Sequence, residues 1–250
     1  MDDEQKKPLE LKDLLDSKLP ILERFREMAP GTFKHSQNVS LLCESVGLEL
    51  DLDIDLMKVA GMYHDLGKLN SPELFSENQN GKNPHENLDP MVSYHLITRH
   101  VGDTILLMLN NFDDFTQKQK LMEIMSQHHG NTVLQFFYKK SKSKVEDPFR
   151  YKSVPPQSIE AAVLMICDSV EATARSLDAA DDLKDSKDRR SVINTTVDRL
   201  MQDYQLDDIK VGMLRKVKTV LYKELDNIYH KREVYGDEKA ETEDDDTIKV

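Results

Sequence analysis

Apolar residues recur three and four positions apart through most of this 250-residue chain, as in Leu56, Val59, Ala60 and Tyr63, or Ile159, Val163, Ile166 and Val170. That spacing lines one face of an α-helix and gives a β-strand no consistent face. No segment alternates apolar and polar residues convincingly over a strand's length. The chain therefore predicts an all-α helical bundle, with helices over 9–28, 36–48, 54–68, 89–110, 116–138, 156–176, 188–203 and 207–230. It is long enough to bury a sizeable core without staples. Cys43 and Cys167 both fall inside apolar helical patterns, which predicts buried free thiols and not a disulfide or a thiolate zinc site. No run reaches the roughly eighteen apolar residues of a membrane span, and MDDEQKK at the N-terminus has no apolar signal region behind it, so the expected location is cytoplasmic.

The formal charge of −12 is uneven. Residues 237–250 hold seven acids and two bases, and 178–188 hold five acids and two bases. Between 139 and 152 the balance reverses to six bases against two acids, the composition of a solvated loop or an anion-attracting rim. We read 1–28 as a helix leading into the domain, 29–230 as the domain itself, and 231–250 as a disordered acidic tail. Asn, Pro and Gly concentrate in 70–90, a long irregular connection. An acidic balance excludes a general binder of long nucleic acids, which neutralises phosphates with surplus Lys and Arg.

The chemistry lies in histidines. Seven of the eight fall between His35 and His129, three of them in the two doublets His64-Asp65 and His128-His129. Neighbouring helical residues point about 100° apart, so a doublet presents ligands to two ions side by side more readily than to one point. Mixed imidazole and carboxylate donors suit iron, manganese, zinc or nickel. Asp168 stands in an apolar helix, where an acid is costly unless paired or metal-bound; a partly exposed helix position is the alternative. Lys68, four residues after His64, stays near the same face and is either a phosphoryl-neutralising cation or a helix-end lysine. His85 is either a pocket residue or a loop-structuring one. Tyr138, Arg150 and Arg175 are either base-stacking and phosphate contacts or ordinary packing and surface pairs. His95 is read as surface or core, and His230 as a surface residue compensating the last helix's dipole.

The stretches APGTFKHSQNVSLLCE (29–44), YHDLGKLNSPELFSENQ (63–79), NPHENLDP (83–90), HVGD (100–103), QHHGNTVLQFFY (127–138), DPFRY (147–151) and PPQSIEAAVLMICDSVEATARSL (155–177) resemble the HD-domain metal-dependent phosphohydrolases. Within them the pattern is most similar to the catalytic domain of seven-transmembrane, PgpH-type cyclic di-AMP phosphodiesterases. Position 34 is Lys where a His commonly precedes the ligand. The resemblance implies an HD-domain bundle with two divalent transition metal ions, manganese or iron. His35, His64, Asp65 and Asp168 would hold one ion, His100, His128 and His129 the other, with Asp65 bridging. It also implies a cyclic dinucleotide as substrate, opened to linear pApA by a metal-bridging hydroxide, with Asp65 and Lys68 in catalytic roles. Members of that type carry membrane helices before this domain, so the chain reads as a stand-alone relative or an excised domain. The guanine-specific subgroup carries a GYP signature after the HH segment, and here that region reads GNTVLQFFY. Cyclic di-GMP, a nucleoside phosphate or an alarmone are the alternative substrates, and a non-catalytic nucleotide sensor is the alternative class.

Overall fold

The computed structural model describes residues 8–236, with side chains through Tyr229. Of the disordered acidic tail expected over 231–250, residues 231–236 instead continue the last helix, while 237–250 and the side chain of His230 lie outside the described residues. The α-helices among the described residues are α1 (Pro20–Met28), α2 (Pro30–Leu50), α3 (Ile54–Tyr63), α4 (Pro90–Thr98), α5 (His100–Asn111), α6 (Lys118–Ser126), α7 (Gln135–Ser141), α8 (Ile159–Ala179), α9 (Ser186–Gln202) and α10 (Val211–Gly236). Among the described residues there is no β-ladder, only isolated bridges of Leu9 with Phe115 and Val133 with Arg150. No helix among them is long and apolar enough to cross a membrane.

Several helices are shorter or more broken than the periodicity predicts. The lead-in 9–28 divides into a 3-10 turn at Leu11–Leu15 and α1, which Pro20 starts. The 54–68 segment stops at Tyr63 and continues as a 3-10 turn at Leu66–Asn70. The 89–110 segment breaks at Arg99, and 116–138 breaks after Ser126 in a turn where Gly130 takes a positive φ of 52°. Apolar spacing persists across each break because it reports which side faces the core, not whether the backbone is continuous. α2 instead begins six residues earlier than its periodicity, with Pro30 in its first turn and the Asn78 side chain accepting from Gly31 N and Thr32 N.

α8 runs through the core, with every side chain from Ala161 to Cys167 at most 1% exposed. Truncating one of them, Leu164→Ala, would cost about 2–5 kcal/mol. Cys43 and Cys167 are free and buried, as expected. α3 crosses α2 nearly backbone to backbone, since a Cβ on Gly61 would lie 2.6 Å from Ser40 Cα. A second, small core of Tyr94, Phe137 and Phe149 stands apart, with Val133, Leu134 and Tyr138 packed against it.

Candidate metal centre

The ends of three helices orient three histidines by one device. His64 Nδ1 lies 2.9 Å from Gly61 O, His100 Nδ1 2.7 Å from Ile97 O, and His128 Nδ1 2.6 Å from Met125 O. Each carbonyl belongs to the last turn of α3, α4 or α6, three residues before the ring. A carbonyl only accepts, so each Nδ1 carries the proton and each Nε2 turns a lone pair inward. The doublets therefore work from turns at helix ends, not from the flat helix faces on which the sequence places them.

The HD turn is seated from below. Thr104 Oγ1 donates to His64 O at 3.0 Å and accepts from Gly67 N at 2.8 Å. A Cβ on Gly67 would lie 2.0 Å from His100 O, so this turn reaches α5 only with glycine there.

Around the turn, His35, His64, Asp65 and Asp168 form one group and Asp65, His100, His128 and His129 another, with the ligand atoms of each within 4.8 Å of one another. Asp65 Oδ2 faces the first, 3.6 Å from His35 Nε2 and 3.4 Å from His64 Nε2. Its Oδ1 faces the second, 3.3 Å from His100 Nε2 and 3.8 Å from His128 Nε2. Asp168 is 5% exposed, so it is not the partly exposed helix residue of the alternative reading. Its Oδ1 lies 3.1 Å from His35 Nε2, and its Oδ2 lies 3.7 Å from His129 Nδ1.

These contacts are poor hydrogen bonds and good ligand sets. His100 Nε2 and His128 Nε2 are 3.4 Å apart, and both are lone pairs. Buried His64 Nε2 and Asp65 Oδ1 have no hydrogen-bond partner. Acceptors facing acceptors in a buried site are repulsive unless a cation lies between them, and imidazole with carboxylate is a first-row divalent set. The residues present fit a metal centre.

Electrostatics divide it. Burial, reinforced by Lys68 at His100 and by neighbouring histidines at His128 and His129, lowers the pKa of His100, of His128 to about 3, and of His129, so these rings stay neutral. Burial also pulls down on His35 and His64, but Glu171 and Asp168 outweigh it at His35, and Asp65 and Asp168 lift His64 to about 10. Burial pushes Asp65 and Asp168 upward; Lys68 and His64 hold the first, and His35 and His64 the second, well below the usual carboxylate range.

The remaining expected site residues separate. Lys68 reaches the centre, but its ammonium is committed to Asp65 Oδ2 at 2.7 Å and Glu77 Oε1 at 2.9 Å, over the Phe75 ring. That pairing clamps Asp65, and the same side chain lines the cleft onto which the centre opens. Arg175 lines a cleft of about 680 Å³ that opens onto His35, His128, His129 and Asp168. His85, Tyr138 and Arg150 are not among the cleft's lining residues. His85 is buried, its Nε2 2.9 Å from Leu74 O and its ring against Phe137. Tyr138 packs on the small core, and Arg150 bonds Asn131 O, Glu146 and Asp203. All three make the packing or pairing contacts of their alternative readings. His95 is exposed.

Four residues of the site are absent from the sequence expectations. Tyr151 stacks on His129 at 4.3 Å, and Arg199 lines the cleft from α9. Glu77 pairs with Lys68, and Glu171 with His35. Only Glu171 carried a sequence signal, a second acid one turn beyond Asp168 on the same apolar helix.

Residues 32–173 match the HD domain family model, and the chain belongs to the HD-domain family. It is 33% identical over 240 residues to the cyclic-di-AMP phosphodiesterase PgpH of Listeria monocytogenes and 35% identical over 234 residues to that of Bacillus subtilis. The alignments cover 92% and 91% of this chain but 32% of each relative, so the chain spans about a third of the length of these curated proteins. The crystal structure of the L. monocytogenes PgpH HD domain superimposes with a TM-score of 0.77 at 33% identity, covering 84% of this chain and 99% of that one. The same domain in complex with cyclic-di-AMP gives 0.76 at 32% identity, over 84% and 97%.

Proposed function

We propose that this chain is the catalytic domain of a cytoplasmic metal-dependent phosphodiesterase that opens cyclic di-AMP to linear pApA. The observation that carries this reading is Asp65, whose Oδ2 faces one ligand group at His64 and whose Oδ1, buried without a hydrogen-bond partner, faces the other at His100. His35, His64 and Asp168 would hold one divalent ion and His100, His128 and His129 the other, with Asp65 shared. Manganese and iron suit such mixed nitrogen and oxygen donors. When bound, such ions would supply an acidified water near neutral pH and charge neutralisation for an in-line displacement.

The chain's own residues do the positioning. Lys68 fixes the Asp65 carboxylate and offsets its charge. Tyr151 holds the His129 ring plane, and the carbonyls of Gly61, Ile97 and Met125 fix the inward lone pairs. The cleft lies within the roughly 300–1,000 Å³ of small-molecule sites. Arg175 and Arg199 give it cationic walls for phosphates away from the centre, and guanidinium suits that task. Two cations on the wall explain how a chain of net charge −12 takes a small dianion while still rejecting long nucleic acids.

The test is incubation with manganese and cyclic di-AMP, then with cyclic di-GMP, with products separated by chromatography. Conversion of the adenine substrate to pApA, faster than any cleavage of the guanine one, is expected. Equal or preferential guanine cleavage would overturn the substrate, and no turnover with manganese or iron would overturn the enzyme.

A further inference from the structure

His35 differs from its neighbours in where it sits. His64, His100 and His128 borrow carbonyls from the ends of helices, but His35 lies inside α2, where backbone carbonyls are spent on the helix's own N–H groups. Its Nδ1 is met instead by Glu171 Oε2, a side-chain carboxylate from α8. Glu171 is wholly buried, one turn beyond Asp168 on the same face. Its other oxygen accepts from Asn38 Nδ2 at 2.8 Å, one turn beyond His35, and Arg175 Nε lies 3.4 Å from Oε2. A buried carboxylate is costly unless its lone pairs are taken, and here an imidazole, an amide and a guanidinium take them.

We propose that Glu171 is a positioning residue for the centre. It accepts the Nδ1 proton of His35, fixes the tautomer that turns Nε2 toward Asp65 and Asp168, and makes that ring a stronger donor than its carbonyl-supported neighbours. Outer partners of this kind orient metal-binding histidines and raise their basicity. Arg175, which lines the cleft, ties this support to the wall that substrate would touch. The inference rests on the reading of His35 as a ligand.

Titration of manganese into metal-free wild type and Glu171→Gln, with circular dichroism alongside, tests it. The variant should keep its helicity and lose about 10- to 100-fold in affinity for one metal equivalent, with the other unchanged. Wild-type affinity for both equivalents in the variant would overturn the role of Glu171 while leaving the centre standing. A wild type that binds no metal would overturn the centre itself. Should Glu171→Gln fail to fold, Glu171→Asp retracts the carboxylate by one methylene; the same weakening at one equivalent is expected, and undiminished affinity would overturn the proposal.

Discussion

His35 and Asp168 come from α2 and α8 and His64 from the turn that ends α3, three helices that pack together in the main core, while His100, His128 and His129 come from the first residue of a helix and from a turn. The second set leans on aromatic rings, Phe75 against His100 and Tyr151 over His129. Tyr151 is itself placed by the pairing of 132–134 with 149–151, through Tyr151 N to Thr132 O and Leu134 N to Phe149 O, both at 2.9 Å. That pairing is anchored in the small core through Phe149. One half of the centre is therefore held by deep helix packing and carries both carboxylates of Asp65 and Asp168. The other is neutral but for the shared Asp65 and, beyond the main-core packing of α5 and α6, takes added support at His129 from the satellite through Tyr151. Both halves rest on the main core, through α2, α3 and α8 on one side and through Met108 of α5 and Leu121, Ile124 and Met125 of α6 on the other, but only the second also draws on the small core.

The comparison breaks first at the residue both halves share. Asp65→Ala should reduce bound metal, measured on protein purified without chelator, from two equivalents to less than one, and cyclic di-AMP turnover to the uncatalysed level. Retained turnover would remove the shared carboxylate from the account. Next comes the satellite. Phe149→Ala removes about 3–5 kcal/mol of packing from a core of three rings, so the histidine-rich half should loosen while far-ultraviolet circular dichroism barely changes. Calorimetric titration should then show one weakened equivalent and one intact; loss of both would mean that the halves are not independently supported. Glu171→Gln should weaken the opposite equivalent, giving the pair its mirror.

A smaller change should touch neither half. Arg199 lines the cleft without being a ligand, and a charged hydrogen bond is worth about 1.5–3 kcal/mol, so Arg199→Ala should raise KM for cyclic di-AMP about 10- to 100-fold with two metals still bound. Unchanged KM would take it out of the substrate wall.

Much of this was legible in the chain. The HD and HH doublets, His35, His100 and Asp168 converge because residue type and apolar setting are both written locally. The helix breaks at Tyr63, Arg99 and Ser126 were not, since periodicity reads through a turn whose two flanks face one core. Nor were Glu77 and Tyr151, which lie outside the α-helices and owe their places to contacts with Lys68 and His129. Arg150 reads in the chain as either a phosphate contact or a surface pair, since a guanidinium suits both, and it is Asp203, 53 residues away, that claims it.

The smallest effect concerns the clamp on the shared carboxylate. Burial pushes Glu77 up, but Lys68 and Arg175 win and hold it at about 2, against an ordinary 4.5. A depressed acid contributes stability that is present above its unfolded value and lost as pH falls toward the folded one. Wild type should therefore lose thermal stability between about pH 5 and 2 more steeply than Glu77→Gln, in melts across that range. Parallel curves would remove the ion pair from the stability of this turn.

The most direct measurement is anomalous diffraction from crystals grown with manganese. The account predicts two peaks about 3.5–4 Å apart, bridged by Asp65, one against His35, His64 and Asp168 and the other against His100, His128 and His129. A single peak, or two that do not share Asp65, would contradict it.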